Sequence, residues 1–447
     1  MAPLRLPDLG RPLTGAMPVR DGGPSALSSL VSPFGVIHQT LTIPPPRGLA
    51  MLTRARATIG TTGQEDDRET VGLGSSLDDP VTASTVALAE AAERYAGKAP
   101  GLSVACRLAR AADLDGAVVD LERLPRCSAS EYAAPGCRIR PFDADATIHW
   151  SRGIELASGL PMWVPSIMAV YGLRNRTPGE RFWIGISTGY AVHTDPLLAL
   201  CSAICEVAER DIVEILWQQR LPLPPVDARE LNASCRTMLR WAEDHFIRVV
   251  LFDATTDMGI PTAYCLLIAE HDAKARHMVS CATGVTLGEA AEKCVRDGIS
   301  FRDHFGAMPE PGTIKMDPGD FTTIADGARY MGLAEHAPAF DFLVDGYEDR
   351  RPQERPVLPQ NPEDRLRSLI DTATDKGMQA IAVDRTTSEL AAAGLTAVCV
   401  VIPDLQPMTL KPLVRFRAHP RLYSAPILMG YRALPEPELN PWPQPFA

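Results

Sequence analysis

Glu90-Ala-Ala-Glu93-Arg94 and Glu206-Val-Ala-Glu209-Arg210 repeat one pattern, Glu-x-x-Glu-Arg, 116 residues apart. On a helix, positions i, i+3 and i+4 share a face, so each copy presents two carboxylates and a guanidinium together. The flanking residues support the helix. Pro80 to Tyr95 is rich in Ala, Leu and Val, with Asp78 or Asp79 as cap and Pro80 in the first turn. Pro196 to Gln219 is richer still in Ala, Leu, Ile, Cys and Val and leaves little surface for solvent. A single charged run of this kind is commonly a solvated helix face held by weak local ion pairs. Two copies on largely apolar helices predict instead four carboxylates meeting at one site, an arrangement that needs cations to neutralise it. Oxygen-rich acidic clusters suit Mg2+, and Mg2+ suits nucleotide phosphates.

Working outward, Val31 to Ile43 reads as a strand, Thr61 to Asp79 as a polar, glycine-bearing loop, and Ile148 to Tyr171 as a hairpin around Ser158-Gly159. Ser187 to Thr194 reads as a second loop feeding a helix. Strands are predicted over Ile247 to Asp253 and Ala263 to Glu270, and a third helix from Leu287 to about Phe305. Beyond a Pro-rich surface region, a helix from Glu363 to Lys376 precedes strands at Gln379 to Asp384 and Thr396 to Ile402. His271 and His277 flank a hairpin tip, and His193 is read as a structural hydrogen-bonding residue. The end, Asn440-Pro441-Trp442-Pro443-Gln444-Pro445-Phe446-Ala447, alternates proline and predicts an extended, polyproline-like tail.

The formal net charge of −11 argues against general affinity for nucleic acid or anionic lipid, both of which need a basic face. No signal-like or membrane-spanning stretch stands out, so a cytoplasmic protein is expected. The ten cysteines are scattered, many inside apolar runs such as Ala397 to Val401, and read as reduced core residues. Residues 1–30 read as a flexible leader segment and 31–447 as one domain.

The paired helices resemble those of YcaO-domain proteins. Supporting stretches are Gly72-Leu-Gly-Ser-Ser76, His149-Trp150 through Val164-Pro165, Ser187-Thr-Gly-Tyr-Ala191, Val383-Asp-Arg-Thr386 and Val400-Val-Ile-Pro403. The resemblance implies an α+β fold of mixed and antiparallel sheets packed with helices, the duplicated motifs surrounding a nucleotide cavity. It implies ATP and Mg2+ as cofactors, with Glu90, Glu93, Glu206 and Glu209 as metal ligands. Ser76, Arg94, Arg210, Asp195, Asp297 and Arg302 are then the expected nucleotide-binding residues. In this family a Pro-x-Pro-x-Pro ending marks azoline-forming members. By that resemblance Pro441, Pro443 and Pro445 deliver the carboxylate of Ala447 into the site to move protons.

The implied activity is ATP-dependent cyclodehydration of Cys, Ser or Thr in a precursor peptide, giving thiazolines or oxazolines through phosphorylation of the amide oxygen. A separate leader-peptide-binding partner and a flavin dehydrogenase are implied by analogy, and a homodimer stays open. The family pattern is not met everywhere. Leu73 replaces the lysine of a Gly-Lys-Gly, and Val86 replaces a serine. Thr194 and Leu198 stand where Asn and Glu are usual, and Asp297 and Ser300 where Glu and Gln are usual. Two alternatives follow: a degenerate, non-catalytic relative that binds the peptide or a catalytic partner, and a thioamide- or amidine-forming enzyme.

Overall fold

The computed structural model describes residues 24–60, 70–98, 106–170, 172–173, 176–308, 317–321, 323–344, 355–409 and 411–446. The chain opens with an antiparallel sheet in the order β1 (Ile37–Ile43), β2 (Leu52–Ile59), β3 (Val71–Leu77). The Gly-Leu-Gly-Ser-Ser run expected in a loop is therefore strand β3. Its glycines have a packing reason. The helix α1 (Pro80–Lys98) crosses the sheet so closely that a Cβ on Gly72 would strike the backbone of Ala87 and Ala91, and one on Gly74 that of Ala83 and Ala87. Ala83, Ala87 and Ala91, four residues apart, give α1 the matching flat face. Asp79 caps the helix, accepting the amides of Val81 and Thr82 at 3.0 Å each.

Residues 1–23 of the expected leader lie outside the described residues. Within the rest of that segment, Leu27 and Leu30 are buried beside the alanines of α1, so the ordered core begins before residue 31.

The chain continues through β4 (Arg107–Ala109), β5 (Ala117–Val118), the hairpin β6 (Ile148–Glu155) and β7 (Pro161–Pro165), and β8 (Tyr190–His193). It then enters α2 (Pro196–Gln219). The expected loop at 187–194 is thus half strand. After α2 come α3 (Ala233–Asp244), a second antiparallel sheet of β9 (Arg248–Asp253), β10 (Thr262–Ile268) and β11 (His277–Thr283), and α4 (Leu287–Ala307). α3 was not anticipated, and β11 is the returning strand of the hairpin whose tip was read between His271 and His277. Finally α5 (Pro362–Asp375) leads to β12 (Ile381–Asp384) and β13 (Thr396–Val401). These two return to complete a seven-stranded sheet, ordered β5-β7-β6-β12-β13-β8 with β4 on β6.

α2 is the hub. Its Ala199, Leu200, Ala203 and Ile204 pack on Ala382, Val398 and Val400 of the seven-stranded sheet and on Leu366 and Leu369 of α5. Further along, Ile212, Ile215, Leu216 and Trp217 pack on Tyr264, Leu266 and Val279 of the β9–β11 sheet. Each fully buried Leu or Ile here stabilises the fold by roughly 1.5–3 kcal/mol. The helix stops where Arg220 turns left-handed, φ 49°, its amide returning to the carbonyl of Leu216. Among the described residues no helix is long and apolar enough to cross a membrane.

Candidate active site

α1 from one sheet, α2 from the hub and α4 from the other side converge on a cavity of about 780 Å³. All four motif glutamates and both arginines line it. Each glutamate accepts a backbone amide. Glu90 Oε2 takes Leu73 N–H at 2.7 Å and Glu206 Oε2 takes Gly189 N–H at 2.9 Å, in both cases 17 residues upstream. The second glutamate of each copy reaches forward instead. Glu93 Oε1 takes Val192 N–H on β8, the strand before α2, at 3.2 Å, and Glu209 Oε2 takes Thr283 N–H on β11, just before α4, at 2.9 Å. The repeat is therefore structural as well as sequential: one acid ties back to its own entry segment, the other to the entry of the next helix.

The guanidiniums partly balance this charge. Arg94 pairs with Glu90 at 2.6 Å, and Arg210 pairs with Glu206 at 3.4 Å and also with Glu209. Glu93 is left in a mostly desolvated position, with Glu206 and Glu90 nearby. Burial first, then those carboxylates, push its pKa up to about 8, so it holds a proton at neutrality. Burial also raises Glu206, against the pull of Arg210. Among the described residues no three carboxylate, imidazole or thiolate groups already form a metal cage. An ion held by these glutamates would take its other ligands from water and phosphate, as Mg2+ commonly does. With that allowance the donor set fits Mg2+ and a polyphosphate.

α4 supplies the remaining wall. The expected Asp297 lines the cavity, and so does Ser300, which stands where the family has Gln, with Lys293 and Arg296 on the same helical face. Ser75 Oγ joins β3 to this wall, donating to Asp297 Oδ1 at 3.0 Å and accepting from Arg296 Nε at 3.1 Å.

Three predicted nucleotide-binding residues lie elsewhere. Ser76 sits on the other face of β3, where strand alternation turns it from the cavity, and Ser75 takes the place expected of it. Asp195 spends its carboxylate as the cap of α2, accepting from Leu197 N–H at 2.8 Å. Arg302 is two residues past Ser300, hence on the opposite side of α4, and pairs with Asp272 at 2.8 Å. His193 is structural, accepting the amide of Asp195. The sequence reading missed Lys293, Arg296 and Ser75, although helical spacing from Asp297 marks the first two.

The tail is extended, as its prolines require, and it is pinned. Asn440 N–H donates to the carbonyl of Gln218, Trp217 Nε1 to that of Trp442, and Arg415 Nη1 to those of Asn440 and Trp442. Gln444 Nε2 reaches Glu214 Oε2 at 3.1 Å, and Arg415 neutralises the fully buried Glu214 at 3.3 Å. Pro441, Pro443 and Pro445 thus run along α2. Phe446 pairs with Val279 of β11 and lies beneath the Arg210 guanidinium, 4.6 Å from it, at the cavity's edge. Ala447 lies outside the described residues.

A family model described as "YcaO cyclodehydratase, ATP- and Mg2+-binding" matches residues 77–406. No characterised protein matches by sequence alone. Among solved structures, one described as a heterocyclase in complex with substrate and cofactor superposes with a TM-score of 0.79 at 21% identity, over 95% of this chain and 57% of its own. The Methanopyrus kandleri YcaO, bound with AMPPCP and Mg2+, gives 0.60 at 14% identity, covering 86% and 88%. The E. coli microcin synthetase McbBCD complex gives 0.58 at 13%, covering 82% and 88%. This chain thus spans little more than half the length of the heterocyclase.

Proposed function

We propose, because this chain belongs to the YcaO cyclodehydratase family, whose cofactors are ATP and Mg2+, that it forms azolines in a peptide by ATP-dependent cyclodehydration. In this reaction a Cys, Ser or Thr side chain of the substrate adds to the preceding carbonyl, and the oxygen must then leave. An amide oxygen is a poor leaving group, and ATP with Mg2+ supplies the phosphoryl group that makes its departure feasible. The observation that carries the reading is the meeting of both Glu-x-x-Glu-Arg motifs on one cavity.

In the proposed site Glu90, Glu93, Glu206 and Glu209 hold Mg2+, while Arg94 and Arg210 bear on the phosphates and on charge developing in the transition state. Glu93 releases its proton when a cation arrives. Ser75, Arg296 and Asp297 fix the third wall. The proline tail holds Phe446 against Arg210, and Ala447 is the proposed proton carrier by its carboxylate. A separate protein that grips the substrate's leader is proposed as partner, and a flavin dehydrogenase would act on the azoline afterwards.

One observation favours a second reading, peptide binding without turnover. Leu73 and Val86, 42% and 44% exposed, turn apolar side chains into the cavity where polar groups would serve phosphate. Incubating the wild type and Glu206→Gln with a candidate peptide and MgATP decides between them. Loss of one water mass per modified residue, coupled to phosphate release and absent in the variant, supports the enzyme. Peptide binding with neither product sinks it, and gain of sulfur would reassign the nucleophile.

A further inference from the structure

The outer edge of β1 has two parts, and the chain itself covers only the first. Val31 bridges Ile37 in parallel, with Ser32 N–H donating to the carbonyl of Ile37 and Ile37 N–H to that of Leu30, each at 3.0 Å. That pairing stops at Ile37. Which main-chain groups point outward beyond it follows from β2. There Ile59 N–H donates to Thr70 on the β3 side at 2.8 Å, and Gly60 N–H to Val36 on the β1 side at 3.3 Å. Backbone direction alternates along a strand, so Thr58, Arg56 and Arg54 turn towards β1 and bond to their partners Gln39, Leu41 and Ile43. Thr40 and Thr42 therefore present their N–H and C=O groups to the outer edge. Among the described residues nothing pairs with them there.

An open strand edge is a template for another strand, and proteins usually blunt it with proline or charge. From His38 to Thr42 every residue is exposed, and none is Lys, Arg, Asp, Glu or Pro. Pro44, Pro45 and Pro46 follow Ile43 and limit the template to this short stretch. It ends at the candidate active site. Ile43 lines the cavity, about 10 Å along the strand from Thr40. Only extended backbone pairs with such an edge, which sets the chemical class of its occupant. Position then chooses among polypeptides: a strand of a partner protein or of a second copy has no need to enter the cavity, whereas the peptide substrate must.

We infer, resting on the cyclodehydratase reading of that cavity, that an extended segment of the peptide substrate adds to β1 as a fourth strand. It pairs main chain to main chain at Thr40 and Thr42 and passes Ile43 into the cavity. Pairing of this kind grips backbone whatever the side chains, so the sequence beside a modified residue is held without being read.

The test uses the full chain and a fluorescein-labelled peptide in which Cys, Ser and Thr alternate with Val and Gly, beside the same peptide N-methylated at every amide. Fluorescence anisotropy reads binding to wild type, to Thr40→Pro, which deletes an outward N–H that β2 does not use, and to Thr40→Ala, which keeps it. Thr40→Pro is expected to bind the peptide about tenfold more weakly, the scale of a lost main-chain hydrogen bond. Thr40→Ala should match wild type, and MgATP affinity should be the same in all three. N-methylation should weaken binding to wild type and add little to Thr40→Pro. Peptide binding by Thr40→Pro at wild-type strength overturns the inference. If the proline lowers the thermal midpoint, the second peptide decides, and its binding to wild type at full strength overturns it equally. A proline variant that parts a wild-type dimer while processing peptide normally gives the edge to a second copy instead. Proline-sensitive binding without ATP-dependent loss of water keeps the strand and removes the cyclodehydratase reading. Peptide that fails to bind wild type removes the strand.

Discussion

The two Glu-x-x-Glu-Arg copies are alike in sequence and unequal in support. The first sits on α1 over a three-stranded sheet, and its Arg94 is paired in the site with Glu90, leaving Glu93 protonated. The second sits on the buried hub α2. There Arg210 engages both of its glutamates and is backed by Phe446, and Glu209 is only 7% exposed. The difference teaches that duplicated motifs can divide labour: one copy spreads a single guanidinium over both of its acids, and the other pairs it with one acid and holds a proton on the second.

The largest expected effect lies below the second copy. Arg415→Met leaves Glu214 buried and uncompensated, and should cost about 3–5 kcal/mol in urea unfolding. A loss under about 1 kcal/mol would mean that the pair does not brace the second copy. Next, Glu206→Gln should lower peptide-dependent ATP hydrolysis by about 10²–10³-fold, the scale of losing a preorganised electrostatic contact. Glu90→Gln, in the copy whose second acid is already protonated, should lower it by about tenfold, the scale of one hydrogen bond to a charged group. Equal losses would erase the asymmetry.

Glu93 offers a pH test. Its folded pKa is raised from 4.5 to about 8. The folded state then keeps the proton while the unfolded state sheds it, so this group's stabilising contribution is complete below pH 4.5 and is lost as pH rises to 8. In metal-free buffer, wild type should lose stability across that window relative to Glu93→Gln. Mg2+ binding near neutrality should release a proton, seen by calorimetry in buffers of differing ionisation enthalpy. A proton count of zero would place Glu93 already ionised. The smallest effect is expected from Phe446→Leu, which removes the ring beneath Arg210. It should cost about 0.5–2 kcal/mol in nucleotide affinity and leave Arg94-dependent behaviour untouched.

Where periodicity and caps carry the information, the sequence was legible. The bounds of α2 follow from Asp195, Pro196 and the apolar run to Gln219, and the convergence of the motifs follows from the repeat itself and from an α2 with little solvent face to spare. Composition misled where packing overrode it. Gly72 and Gly74 look like loop residues, yet they are glycine because the alanines of α1 press against β3. That same misreading put Ser76 in the site, for without a strand there is no alternation to select Ser75. Arg302 failed for a comparable reason: it was matched by pattern, while helix geometry sends it to Asp272. The Glu214–Arg415 brace joins residues 201 positions apart, and no local signal announces it.

All four acidic anchors clasp main chain, at Leu73, Gly189, Val192 and Thr283. Side-chain identity at Leu73 and Val192 is consequently uncoupled from the acid scaffold. Thr283 and Gly189 are exceptions: the Thr283 hydroxyl also donates to Glu209 at 3.4 Å, and at Gly189 a φ of +84° and the contact with Val400 forbid a Cβ. Elsewhere proline alone would unfasten an anchor. The chamber can accordingly be re-lined, by drift or by design, to suit a different peptide while its acidic frame stays put.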